Sequence, residues 1–520
     1  MAPDEPVDYV VVGSGSSGAV VANRLSADPD RTVLLLEAGG PDDRPEIHRT
    51  GAGDALALLT SEWSTGIDWG YATEPQKGLD GRVVPIARGK VLGGSSSVNA
   101  LMWVRGNPAD YDGWDTPGWA FDDVLPYFTR AETYTGTGSD SPLRGGGGPV
   151  RVRGLDRPSA VARAFVGAAA ELGYGTGDDF DYNGAEQRGN GFYYQTTRTP
   201  ENTRSSTATA YLDPVRDRPN LRIETGAHAT RLVVDGGRVV AVEYLRDGEP
   251  RTVPVRREAV LSAGAFESPK LLMLSGIGPA AHLREHGVPV VRDLPGVGRN
   301  LQDHVFVPLC HQSAQEHPEG ALISEAGLFP SEELQFTFGP IKFLPPTAPA
   351  SAWEGPGYTF APIVLLPRSR GEVLLRGPDP SDNAVVDPHY LDDDTDLDLL
   401  VDGLKLAREL AATRAFDDVR GEELAPGAHV RDDAALREYA RANATTLWHP
   451  VGTCRMGATE DAVVDERLRV HGVDGLRVAD ASIMPKIVSG NTHAACVMIG
   501  EKAADLIIAS DRGPTPGGRP

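Results

Sequence analysis

The stretch Tyr9-Val10-Val11-Val12-Gly13-Ser14-Gly15-Ser16-Ser17-Gly18 decides the fold. Its apolar start reads as a buried strand, and a helical run from about Ala19 to Leu25 follows the glycines. A second apolar strand, Thr32-Val33-Leu34-Leu35-Leu36, ends at Glu37. Two such strands around one short helix predict a parallel pair joined by a crossover. Each glycine of Gly13-x-Gly15-x-x-Gly18 has a physical task. Gly13 makes the tight turn, Gly15 lets the backbone approach a pyrophosphate, and Gly18 lets the helix pack on the sheet. The helix start then offers free N–H groups to phosphates. Glu37 lies 19 residues beyond Gly18. A carboxylate there accepts hydrogen bonds from ribose hydroxyls and repels a 2′-phosphate. The unit reads as a dinucleotide site in an α/β protein.

Working outward, 520 residues exceed what one hydrophobic core covers, so two domains are expected. Fifty Lys and Arg against 73 Asp and Glu leave a net charge of −23. Such a chain repels phosphate backbones and anionic membranes, so no nucleic-acid partner is expected. No apolar run approaches the roughly 18 residues that span a bilayer. Met1 to Pro6 shows no basic segment leading into an apolar one. Cys310, Cys454 and Cys496 are too few for a disulfide scaffold and lack metal spacing. A cytoplasmic protein with no metal site is the expectation.

Residues 40–130 are rich in Gly, Asp, Trp and Pro and read as long ordered loops, anchored by Trp63, Trp69, Trp103, Trp114 and Trp119. Gly145 to Gly148 reads as a flexible joint. Leu221-Arg222-Ile223 is a strand, and Arg231 to Val234 returns through Asp235-Gly236-Gly237 to Arg238–Val242 as a β-hairpin. Val260 to Gly264 reads as a buried strand entering a glycine turn. Residues 305–445 change character. Gln335 to Phe338 and Glu372 to Leu375 are strand-like, and Leu397, Leu400, Val401 and Leu404 share one helix face. Leu476 to Ala479 is a strand ending at Asp480, a helix runs from about Thr492 to Ala509, and the tail 512–520 reads as disordered.

The glycine fingerprint alone does not separate NAD from FAD. Arg88-Gly89-Lys90-Val91-Leu92-Gly93-Gly94-Ser95-Ser96-Ser97-Val98-Asn99 adds a second signal. Its glycines let backbone lie against a large planar ligand, and its hydroxyls and Asn99 can meet polar edges. Gly89-Lys90-x-Leu92-Gly93-Gly94-Ser95-Ser96-x-Val98-Asn99 resembles the first signature of the glucose–methanol–choline (GMC) family of FAD-dependent oxidoreductases. Gly264-Ala265-x-x-Ser268-Pro269-x-Leu271-Leu272-x-x-Ser275-Gly276-Ile277-Gly278 resembles its second. His449 to Gly457 and Asp480 to Pro485 are similar to its C-terminal blocks.

The resemblance runs from about Asp8 to Ile508. It implies a Rossmann-like, doubly wound FAD-binding domain (1–155, 205–304 and 446–511). It also implies an α+β substrate-binding domain with an antiparallel sheet flanked by helices (156–204 and 305–445). The implied cofactor contacts are Gly13, Ser14, Gly15, Ser16, Gly18, Glu37, Ala38, Val91, Gly94, Ser95, Asn99, Ala100, Leu101, Met102, Ala229, Asp480, Ala481 and Ala495. Some members hold FAD covalently through a histidine beside the asparagine. Val98 stands there in this chain, so non-covalent FAD is expected.

Among 12 histidines, His449 and His493 fall in the family's active-site blocks. The implied chemistry is oxidation of a primary alcohol to the aldehyde, with hydride passing to flavin N5 and electrons going on to O2 or another acceptor. A neutral imidazole can take the hydroxyl proton, which points to His449 as base. A second can hold the developing alkoxide, which points to His493. These roles can be shared, because adjacent imidazoles titrate together. Asn491 or Thr492 can cap the last helix, whose positive end would then lie by the flavin. Trp448, with Leu447, and Phe336 and Phe338 at period two, suggest aromatic pocket walls suited to aryl or apolar alcohols. The alternative is a lyase or photodecarboxylase of the same fold.

Overall fold

The computed structural model describes residues 5–53, 66–176, 180–317, 322–345 and 348–511. Trp63 and the tail 512–520 lie outside the described residues.

The opening unit folds as its pattern predicts. β1 (Val7–Val12) and β2 (Val33–Leu36) pair in parallel, and α1 (Gly18–Leu25) crosses between them. Every residue of both strands is buried, as a strand sandwiched in a parallel sheet requires. β3 (Leu221–Glu224) extends the sheet in parallel beyond β2. β4 (Ala227–Asp235) and β5 (Arg238–Arg246) form the hairpin around Gly236 and Gly237, with φ of 57° and 83°. Those two positive angles make the turn whose twist suits a tight hairpin.

β6 (Glu249–Leu261) is longer than its apolar end suggests. Its first half runs antiparallel to β5 and its second half parallel to β1. The strand order is β4-β5-β6-β1-β2-β3, with Leu476–Val478 parallel to the end of β6. This is the Rossmann-like α/β sheet. The final helix, α2 (His493–Asp511), packs directly on α1: a Cβ at Gly500 would lie 2.6 Å from the Ser17 carbonyl oxygen. That contact brings the start of α2 to the glycine turn.

Among the described residues the second sheet has nine strands, antiparallel except for one short parallel pair. It includes β7 (Val305–Phe306), β8 (Leu334–Gly339) and β9 (Gly357–Val364). Helices Ala160–Glu171 and Asp394–Ala412 cover one face. Leu397, Leu400, Val401 and Leu404 bury the expected stripe there, in one cluster with Phe165 and Phe360. Gly371–Leu374 lies elsewhere. It pairs with Arg299–Leu301 and Val385–Asp387, and Val373 packs beside Phe266.

Trp103, Trp114 and Trp119 are buried, and their indole N–H groups donate to the Glu132 carboxylate, the Lys486 carbonyl and the Glu466 carbonyl. Trp69 is half-buried against Tyr71. The joint expected at Gly145–Gly148 is instead a close backbone approach. Gly145 N–H donates to Glu132, and a Cβ at Gly148 would lie 2.3 Å from the Ala131 carbonyl carbon. At Gly145 and Gly148 nothing larger fits, whereas Gly146 and Gly147 between them have open space around them. No helix among the described residues is long and apolar enough to cross a membrane.

Candidate active site

The two sheets enclose one open-mouthed cavity, lined at one end by the glycine turn and at the other by the second sheet, so a cofactor and a substrate can share it. One end is the glycine turn. Gly13 takes φ of +93°, and a Cβ there would meet Ser262 O at 2.5 Å. A Cβ at Gly18 would sit 1.9 Å from Gly13 O, which fixes the helix against the turn. A Cβ at Gly15 would meet nothing within 4 Å, because it would project into the cavity.

Glu37 and Ala38 line the same end. Glu37 Oε2 accepts from Ser14 N–H (3.0 Å) and Ser14 Oγ (2.6 Å), and Oε1 accepts from Gly39 N–H (2.8 Å). Burial pushes its pKa up while those bonds hold it down. Ser14 therefore aims the carboxylate and does not itself reach the cavity. Ala229 lies opposite on β4.

The Arg88–Asn99 loop meets this turn at Gly94, whose Cβ would fall 2.8 Å from Gly15 Cα. Gly94, Ser95, Asn99, Ala100 and Met102 line the cavity. Ser96 and Ser97 do not meet a ligand edge: their hydroxyls donate to the Gly93 and Leu92 carbonyls. Val91 and Leu101 lie behind the wall, Val91 packed with Ile47, Ile67 and Val98. Asn99 Oδ1 accepts from Leu101 N–H (3.0 Å) and from buried Arg204 (2.8 Å). Burial pushes the Arg204 guanidinium down to about 9. Arg204 carried no local sequence signal.

Asp480 and Ala481 line the opposite wall. The Asp480 carboxylate accepts from Gly264 N–H, Ser268 Oγ and Ser482, and so ties two turns together. Asn491, Thr492, His493 and Cys496, from the start of α2, also face the cavity, whereas Ala495 does not.

His449 sits on a turn shaped by Asp303. That carboxylate accepts from His449 N–H (2.8 Å), Thr446 Oγ1 (2.6 Å) and Tyr390 OH. Trp448 takes φ of +63°, unusual for so bulky a residue, and its carbonyl accepts from Arg88 Nη2 at 2.9 Å. The strained turn sends Trp448 and His449 into the cavity together.

The ring of His449 is tied at both nitrogens. His304 Nε2 is 3.0 Å from the Leu365 carbonyl, which can only accept, so that nitrogen carries hydrogen. Burial pushes His304 down to about 4, so its Nδ1 is bare at neutral pH. His449 Nδ1, at 2.9 Å, must then donate to it. Burial, the His304 ring and Arg88 also hold the His449 pKa well below the ordinary range. Its Nε2 is left bare and accepts from Asn491 Nδ2 at 3.1 Å. His449 is therefore a neutral Nδ1–H imidazole presenting a basic nitrogen.

His493 is pushed down to about 4 by burial. Its Nδ1 lies 2.8 Å from Ser16 Oγ, and Trp103 packs edge-on at 5.6 Å. Both expected imidazoles thus line one cavity, and Asn491, two residues before His493, hydrogen-bonds His449. The sequence reading missed His304 and Asp303. The buried polar run Gln302-Asp303-His304 before an apolar strand was the available signal.

Phe336 and Phe338 do not line the pocket. They point to the helix-covered face and pack with Phe165 and Phe360. Both faces of β8 are buried, so period two alone could not tell which one met the cavity. Gln335 and Thr337, of the other parity, line it, with Leu447.

A nucleotide-type cradle joined to a bare imidazole base fits an oxidoreductase that takes a dinucleotide cofactor. GMC oxidoreductase N- and C-terminal domains match residues 7–306 and 367–500. A GMC-type oxidoreductase of Mycobacterium bovis is 44% identical over 97% of this chain and 99% of its own. An oxygen-dependent choline dehydrogenase of Burkholderia cenocepacia is 41% identical over 98% and 94%. Among solved structures, pyridoxine 4-oxidase from Mesorbium loti superposes with a TM-score of 0.88 at 35% identity, over 96% of this chain and 98% of that one. The chain belongs to the GMC oxidoreductase family and is an FAD-dependent oxidoreductase.

Proposed function

We propose that the protein binds FAD non-covalently and oxidises an uncharged primary alcohol, aryl or apolar, to its aldehyde. The observation that carries this reading is the bare Nε2 of His449, held toward the cavity by the His304 hydrogen bond. The open space over Gly15, the Glu37 carboxylate and the Asn99 loop fit a flavin dinucleotide. When bound, FAD supplies the acceptor for the carbinol hydride.

His449 Nε2 takes the hydroxyl proton once the substrate hydroxyl displaces Asn491 Nδ2 from that nitrogen's one lone pair. The imidazolium so formed is balanced by the negative charge that leaves the substrate with its hydride. Asn491 Nδ2 marks the position that the substrate hydroxyl takes at that nitrogen. His493, with Nδ1 engaged by Ser16, offers Nε2 to that oxygen. Trp448 and Leu447 wall the carbinol from water.

The low pKa of His449 fixes the pH dependence. The base works when neutral, so activity is present above its pKa and lost as pH falls through it. The kcat/KM for aldehyde formation should be flat from about pH 6.5 upward through neutrality and fall only on the acid side, below the ordinary histidine pKa of about 6.5. An acid limb at or above 7 would contradict a base held neutral by burial. Val98 offers no nucleophile beside Asn99, so acid precipitation should leave all flavin in the supernatant. Flavin retained in the pellet would overturn the non-covalent reading.

A further inference from the structure

The cavity face of the second sheet has its own polar point, apart from the imidazoles. β7, β9 and β8 run side by side, with Phe306 opposite Ile363, Ile363 opposite Gln335, and Ala361 opposite Thr337. Gln335 therefore stands two strand spacings, roughly 10 Å, from the Phe306 row that follows His304. One aromatic ring spans such a gap. The face between is apolar, made by Phe306, Ile363 and Ala361.

At its far side Gln335 Nε2 donates to Tyr194 OH at 2.9 Å. That leaves the Gln335 carbonyl oxygen and its second amide hydrogen uncommitted. Thr337 Oγ1 is buried against the same Tyr194 hydroxyl, so both side chains hold it in place. A half-paired amide at the cavity wall favours a ligand group that meets its oxygen or its free hydrogen. The same surroundings penalise a charge, which would be stripped of water and face only neutral dipoles.

We propose that Gln335, Thr337 and Tyr194 form a recognition point for the end of the substrate remote from the reacting carbinol. It takes an uncharged hydrogen-bonding group, such as a ring hydroxyl or carbonyl, on an aryl primary alcohol. The assignment rests on the alcohol-oxidation reading and adds a specificity rule to it. A quaternary ammonium head finds no matching partner at this point.

The test compares benzyl alcohol with its 3- and 4-hydroxy derivatives on the holoenzyme, by kcat/KM. It adds dissociation constants for benzaldehyde and hydroxybenzaldehydes, read from perturbation of the flavin spectrum. The better hydroxylated compound should be preferred at least tenfold in both. Thr337→Val and Gln335→Met should each lower that preference several-fold, toward one. Preferences unchanged in both variants, or no preference in the wild type, would overturn the recognition point. The binding arm needs no turnover. If no alcohol reduces the flavin yet the binding preference appears and collapses as stated, the recognition point stands and the alcohol-oxidation reading falls.

Discussion

His449→Ala should leave the protein yellow and lower the rate of flavin reduction by alcohol by roughly 10²–10⁴-fold, the span that acid–base catalysis contributes. The cofactor cradle is built from Gly13–Gly18, Glu37 and the Asn99 loop, none of which uses the His449 ring, so flavin content should not change. The turn survives because Asp303 holds the His449 backbone N–H and Thr446. What is lost is the bare Nε2 and the donor to His304, whose buried Nδ1 would then lack a partner at a cost of about 1–3 kcal/mol.

His304→Leu should cost less, about 10–100-fold, well short of losing the base itself. The imidazole remains but can carry its proton on the wrong nitrogen. Its signature is a fall in kcat with little change in KM, because His304 lies behind the cavity wall. Rapid-mixing reduction kinetics on flavin-replete protein reads both variants. A His449→Ala protein that reduces its flavin at the wild-type rate would remove the residue from the mechanism.

Gly15→Val should fold yet purify without flavin. The position has no positive φ, and the added atoms enter the cavity, where no protein atom lies within 4 Å of the new Cβ. They fill the space a pyrophosphate needs. Gly18→Ala should do the reverse, since its Cβ would collide with Gly13 O at 1.9 Å and Ser262 Cβ at 2.9 Å. Overpacking of that kind costs about 1–3 kcal/mol or more. Circular dichroism, thermal melts and flavin absorbance together separate the two. A Gly15→Val protein with full flavin content would show that the cofactor does not lie over this turn.

The local parts of this fold were legible in the chain. β1, α1 and β2, the Gly236-Gly237 hairpin and α2 each carry a periodic apolar pattern with a stop signal, and each forms as read. What depended on distant contacts was not. The partner of His449 is 145 residues away, and the polar run Gln302-Asp303-His304 before an apolar strand does not say which distant residue it meets. Phe336 and Phe338 misled because a strand buried on both faces hides which side is the cavity. In such a strand the polar minority, Gln335 and Thr337, was the better guide. Gly145–Gly148 looked loose because glycine serves equally for freedom and for close approach. The imidazole pair was found through the family motifs, and its hydrogen bonding only through the structure.

In the proposed reaction a primary alcohol gives its hydride to the bound cofactor while His449 takes the proton. Anaerobic rapid mixing of the holoenzyme with benzyl alcohol and its α,α-dideuterated form tests it most directly. Loss of the oxidised-flavin absorbance in one turnover, stoichiometric benzaldehyde and clear slowing by deuterium are expected. A flavin that stays oxidised with this alcohol and with a broad panel of others would contradict it.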